Sequence, residues 1–294
     1  MNKKINSMLS AVMPLLAFCG ISAVTSCSSR SSSGNGDELV TDSIACSDSL
    51  ISNGARAYCS ISVDYPENGP SGTIDSIRGW IAQRLSTIGY TDPAMPAPYA
   101  SATANLSNGQ RMIEAVCKAA LADAGKEFKA LDSINALNPD YAMQYEYSWN
   151  IRKIYETPKI VTYNANTYTY LGGAHGSSFN IGQTFNAETG AEIGLDMFRP
   201  DSLARVNNLI KAELMKYFNA TTAQELKDAL LINPDTLPLP VAPLTLMPDG
   251  VSFIYQQYEI APYAEGMPNG IIPYTLLTGC FTPAAQSLLP TPTE

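Results

Sequence analysis

One histidine stands in the 294 residues, His175, and that single imidazole limits the chemistry the chain can carry. A zinc site of the HExxH type needs two helical histidines, and one of the carbonic-anhydrase type needs three, so neither can be built. A Ser-His-Asp triad would take His175 as its base. No G-x-S-x-G elbow occurs, however, and Ser177 and Ser178 lie too close in sequence to face the ring easily. There is no P-loop and no dinucleotide fingerprint. Gly172-Gly173-x-x-Gly176 has the wrong spacing and joins two predicted strands instead of opening a helix. With 27 acidic residues, a pair of carboxylates across a cleft, acting on envelope polysaccharide as acid and base, is the catalytic alternative that composition leaves open.

His175 sits in Leu171-Gly172-Gly173-Ala174-His175-Gly176. Glycines this dense between two strands imply positive φ or close approach by another segment. The loop is then either a tight hairpin whose imidazole donates to backbone carbonyls, or part of a ligand surface. A second candidate, Ala261-Pro262-Tyr263-Ala264-Glu265-Gly266, is a turn after the last long predicted strand, with Tyr263 and Glu265 available to a partner. The candidate binding residues are therefore Gly172, Gly173, His175, Gly176, Tyr263 and Glu265. No catalytic residue, metal ligand or cofactor site is assigned.

The chain has six cysteines and no C-x-x-C pair, so a structural zinc site is not expected. Cys27 closes Val24-Thr25-Ser26-Cys27, after Lys3, Lys4 and a mostly apolar, nearly uncharged stretch from Met8 to Ala23. This pattern resembles the bacterial lipobox, in which the cysteine receives a diacylglyceryl group and becomes the new N-terminus. The resemblance implies a signal peptide over 1–26, lipidation of Cys27, and a membrane-anchored protein of the cell envelope. Ser28 after the cysteine leans toward the outer membrane, on its periplasmic or surface side. In an oxidising compartment Cys46, Cys59, Cys117 and Cys280 allow three pairings. Cys46 with Cys59 is the local option, Cys117 with Cys280 the long-range one, and buried free thiols are the alternative to both.

Removal of the leader takes away Lys3 and Lys4 and moves the net charge from −9 to −11. Nothing resembles a Lys/Arg cluster, so nucleic acid is not an expected partner. Charged residues are 15% of the chain and there are 16 tyrosines, a composition that buries a real core. Past residue 30 no apolar run is long enough to span a bilayer.

The scaffold that would position His175 and Tyr263 reads as α+β, an antiparallel sheet with helices packed on one face. Residues 27–44 read as the lipidated cysteine and a flexible stalk. An N-terminal part follows over 45–171, and a C-terminal part over 172–294, the two forming one compact unit. Ile61 and Val63 alternate with Ser60, Ser62 and Asp64, which makes Ala55–Tyr65 the first predicted strand. Apolar residues at helical spacing predict helices over Thr73–Ser86 and about Asn108–Leu131. From Asp140 the period changes to 2, giving a meander of three long strands up to Phe185, with a turn at Asn186–Gly190. A helix from Asp201 or Ser202, a shorter one opened by a Thr222-x-x-Glu225 capping box, and a last long strand over Val251–Tyr258 follow.

The order of Tyr170–Gly176, Phe185–Gly190, Leu195–Phe198, Val251–Phe253, Ile260–Gly266 and Ile272–Tyr274 resembles one exported domain of largely uncharacterised function. That domain occurs in the ectodomain of the anti-sigma factor RsiV and in the peptidoglycan deacetylase PdaC. The resemblance covers roughly Gly172–Phe281, with a weaker part over Cys59–Tyr170. It implies the fold and a tendency toward envelope binding. It does not imply an enzyme activity, since PdaC's deacetylase chemistry resides in a separate catalytic domain. The expected protein is a non-catalytic, lipid-anchored binding module for a cell-wall glycan or a basic, lysozyme-like protein, which the acidic charge would steer.

Overall fold

The computed structural model describes residues 38–87, 97–131 and 143–289. Asn35–Glu294 make up one compact unit. Its largest element is a six-stranded sheet in the order β1-β2-β3-β4-β5-β6: Val40–Ser52, Ala55–Asn68, Gln144–Glu156, Ile160–Leu171, Ser177–Asn186 and Glu192–Ile193. Strict alternation builds it. In β2 the residues Ala57, Cys59, Ile61, Val63 and Tyr65 are buried, while Tyr58, Ser60, Ser62 and Asp64 point the other way.

All pairings but one are antiparallel. Strands β2 and β3 run parallel, from Arg56 beside Gln144 to Val63 beside Ile151. Parallel neighbours need a long crossover. Helices α1 (Ser71–Leu85) and α2 (Gly109–Ala130) lie in that connection. Asn108 caps α2 by accepting from the Arg111 N–H at 2.9 Å. Both helices bury one stripe on the same face of the sheet: Ile77, Trp80 and Ile81 from α1, and Ile113, Val116, Cys117 and Ala120 from α2. The expected α+β class, with helices against one face, is what this core is made of.

The first strand corrects the expected organisation. The stalk expected to reach residue 44 ends sooner, because Val40–Ile44 already pair with β2. Only Ile44, Cys46 and Leu50 of β1 pack on the core, and serines between them dilute the alternation. The hairpin to β2 is a two-residue Asn53-Gly54 turn with both φ positive, 45° and 85°. Lipidation at Cys27 and the signal peptide fall outside the described residues.

On the opposite face a second layer covers β4 and β5. It comprises a three-stranded antiparallel sheet, β7 (Thr245–Met247), β8 (Gly250–Ile254) and β9 (Asn269–Pro273), with α3 (Leu203–Tyr217) packed on β9. The short α4 (Ala223–Ala229) carries the expected capping box, and α5 (Pro283–Gln286) is the last described element. Its core gathers Val206, Ile210, Leu214, Val251, Phe253 and Tyr255. The four described cysteines are free, with Cys46, Cys59 and Cys117 at the first core and Cys280 in the second. The long-range pairing of Cys117 with Cys280 is therefore not formed.

Candidate functional site

The glycine-rich loop between β4 and β5 and the turn after β8 come together in space. Gly172 and Gly173 reverse the chain at φ 84° and 94°. An added Cβ would meet nothing at Gly173, and at Gly172 only the Tyr145 ring at 3.9 Å. These two glycines thus serve backbone conformation alone. Gly176 serves space. It is buried, and a Cβ there would lie 2.4 Å from the Tyr168 ring.

The Gly176 carbonyl oxygen accepts two hydrogen bonds, from His175 Nδ1 and from the Tyr263 hydroxyl, both at 3.0 Å. A carbonyl only accepts, so the proton of the neutral imidazole sits on Nδ1. Nε2 is then the acceptor, and the Tyr258 hydroxyl lies 3.3 Å from it. The imidazole stacks on Tyr263 with ring centres 3.8 Å apart and planes 21° from parallel. Tyr258 leans over both, 5.8 Å from Tyr263 and 6.4 Å from His175. Three rings form one cluster at the surface.

Tyr258 is the member that sequence reasoning missed. It is 56% exposed and adopts φ 65°, a left-handed conformation that costs a tyrosine roughly 1 kcal/mol or more. The segment predicted to continue as strand to Tyr258 leaves the sheet at Ile254. Gln256 and Gln257 then replace backbone pairing with their side-chain amides. Gln256 accepts from the Asn180 N–H at 2.9 Å and donates to its carbonyl at 2.8 Å, and Gln257 accepts from the Ser178 N–H at 2.9 Å. Glu259 fixes the backbone at the start of this segment, its two oxygens accepting from the N–H groups of Gln256 (2.7 Å) and Val241 (2.8 Å). Burial pushes the Glu259 carboxyl above its ordinary range, and these two bonds partly oppose the shift. The clamp on β5 aims Tyr258 at His175. Its sequence signal is the pair of glutamines where strand alternation should have continued.

Glu265 does not join the cluster. Its backbone carbonyl accepts from the Tyr217 hydroxyl at 2.7 Å and its side chain is exposed. Burial first, then the Glu265 charge, push the Tyr217 hydroxyl up. Glu265 thus ties its turn to α3, and five of the six residues singled out from sequence remain in or beside the aromatic cluster.

Further along β5, Asn180 borders a cleft of about 260 Å³ lined by Asn164, Thr245, Ser252, Phe253 and Asn269 among others. Asn180 lies about 13 Å along the strand from Gly176 at the usual rise per residue. The lining is amide, hydroxyl and apolar. Among the described residues no group of three or more His, Cys, Asp or Glu is placed to hold a metal ion. The nearest acid in the clamp, Glu259, already uses both oxygens on backbone N–H groups. The arrangement offers ring faces and neutral hydrogen-bonding groups.

Two family models match parts of the chain. One, described as a protein of unknown function (DUF3298), matches residues 195–275, and one described as deacetylase PdaC matches residues 53–178. The glycine-rich loop therefore falls in the second match, and Tyr258 and Tyr263 in the first. Among solved structures, a DUF3298 family member from Bacteroides fragilis superposes with a TM-score of 0.72 at 18% identity, covering 87% of this chain and 99% of that one. A DUF3298 family protein from Pseudomonas aeruginosa superposes with a TM-score of 0.57 at 16% identity, over the same shares. These likenesses establish the α+β fold. No curated protein matches the chain.

Proposed function

We propose that this protein is a non-catalytic, lipid-anchored binding module of the cell envelope that holds a cell-wall glycan across His175, Tyr258 and Tyr263. The observation that carries this reading is the convergence of two sequence-distant segments on one exposed ring cluster. Sugar rings present flat C–H faces bordered by hydroxyls. Tyrosine rings supply large, rigid contact surface with a polar edge, at little cost in side-chain entropy. A left-handed tyrosine held open by a hydrogen-bonded clamp is strain of the kind kept at ligand sites. The anchor rests on the lipobox-like run ending at Cys27, and mass spectrometry of the membrane-extracted protein should find its N-terminal cysteine acylated.

Binding is tested by sedimentation with insoluble peptidoglycan. The wild-type chain is expected in the pellet, and Tyr258→Ala and Tyr263→Ala are expected to weaken retention roughly 10- to 100-fold, as loss of an aromatic anchor does. Unchanged retention of both variants, or no retention of the wild type, would sink the glycan reading.

The net charge of −9 supports a second reading, in which the same surface takes a basic protein. Lysozyme, the type of basic protein expected from the sequence, is the protein to immobilise. Capture that falls steeply between low and moderate salt would favour this partner, because exposed charges are screened over about 10 Å at 0.1 M salt.

A further inference from the structure

Three thiols meet away from the aromatic cluster. In the β1–β2 pair, Cys46 lies opposite Ile61 and Asp48 opposite Cys59, so the two cysteines are diagonal neighbours on the helix-covered face. Helix α2 lays Cys117 across them. Its thiol lies 3.9 Å from the Cys59 carbonyl oxygen, and α2 runs along β1 from Gly109 beside the Ile44 side chain to Gly125 beside the Leu50 side chain, which brings Cys117 to the level of Cys46. Diagonal neighbours stand about 7–8 Å apart. A disulfide spans Cα atoms about 4.4–6.8 Å apart, so Cys46 and Cys59 cannot bridge each other without moving backbone. Cys280 belongs to the other core. Cys117 is thus the shared partner. Of its two neighbours, Cys59 is fully buried, whereas Cys46 is half-buried on the edge strand, where an external reagent arrives first.

We propose that Cys46 and Cys117 form a disulfide by exchange with an external disulfide, stapling α2 to the edge strand β1. The Cys46 thiolate attacks R–S–S–R′, giving the mixed disulfide Cys46–S–S–R and releasing R′–SH. Cys117 then attacks the Cys46 sulfur and expels R–SH. The protein loses two protons and two electrons, and the external disulfide takes them up as two thiols. Burial, first among the causes, holds the Cys46 thiol up to about 12, while hydrogen bonding with Cys59 pulls Cys117 below its ordinary value.

The purified protein is incubated with glutathione disulfide, quenched in acid, alkylated and mapped by peptide mass spectrometry. The expected product carries one Cys46–Cys117 link with Cys59 and Cys280 alkylated, and melts roughly 5–10 °C above the reduced form. Cys59→Ser is expected to keep the link. Cys117→Ser is expected to leave Cys46 as a glutathione mixed disulfide. A link from Cys59 to Cys117 or to Cys46, or four cysteines still fully alkylated, overturns the proposal. None of these readouts involves glycan binding, so the outcome stands apart from the function proposed above.

Discussion

Gly190 and Gly173 both sit at positive φ, 73° and 94°, yet they are there for different reasons. A Cβ at Gly190 would lie 2.3 Å from the Gly72 carbonyl oxygen at the start of α1, whereas one at Gly173 meets nothing. Gly173→Ala therefore carries only the backbone penalty, about 1 kcal/mol. Gly190→Ala must also push α1 off the turn, and is expected to cost at least about twice as much. Thermal melts of the two variants decide it, and equal losses would mean that α1 gives way freely. The glycine turn at Asn186–Gly190 is legible from local chemistry. The approach of α1 that makes it obligatory joins residues over a hundred positions apart, which no local pattern encodes. The same divide runs through the ring cluster. His175 and Tyr263 stand out because glycine-dense loops and turns are punctuated. Tyr258 falls in the predicted strand, because nothing local announces that two glutamine amides will take over the pairing.

Thr162 and Thr184 are the elements' fastening between the two layers. Their hydroxyls lie 2.9 Å apart, buried on adjacent strands β4 and β5. Thr162 donates to the Leu246 carbonyl at 2.8 Å, and Thr184 accepts from the Leu246 N–H at 2.9 Å. One residue of β7 thereby satisfies its backbone on two side chains of the larger sheet. Thr184→Val keeps the shape and strands that N–H, at a cost of about 1–3 kcal/mol. Because the three groups act as one network, Thr162→Val/Thr184→Val should destabilise by less than the sum of the single changes. Urea titrations of the three variants measure this coupling, and strict additivity would show that the hydroxyls act separately. Elements with strong local signals were legible: the Thr222–Glu225 capping box, the two crossover helices and the β3–β5 meander. Strand β1 was not, although Asn53-Gly54 is a strong hairpin signal, because its first residues, 40–44, fall in the expected stalk and serines and acids dilute the alternation of the rest. The parallel β2–β3 pairing was equally hidden, since pairing direction depends on where two helices deliver the chain.

Two cores share one pair of strands, and this decides how the whole molecule unfolds. Ile160 of β4 packs into the second core, while its neighbour Val161 and then Tyr163 and Ala165 pack into the first. Alternate side chains of a single strand thus feed both layers, and neither layer keeps its floor if the other melts. An N-terminal and a C-terminal part in one unit are what the sequence predicts. The alternation that fuses them is visible in β4 only once each face has a known covering. Ile113→Ala removes a fully buried side chain from the first core, and Leu214→Ala one from the second. Each should cost about 2–5 kcal/mol. If the layers are fused, each variant moves one and the same calorimetric transition to lower temperature, by roughly 2–4 °C per kcal/mol for a chain of this size. Two resolved transitions, with Ile113→Ala shifting one and Leu214→Ala the other, would mean that the strands merely touch both cores without coupling them. The ring cluster draws Gly176 and His175 from the loop between β4 and β5, and Tyr258 and Tyr263 from the second layer. A single transition therefore also predicts that either core variant loses the cluster only when the entire unit unfolds.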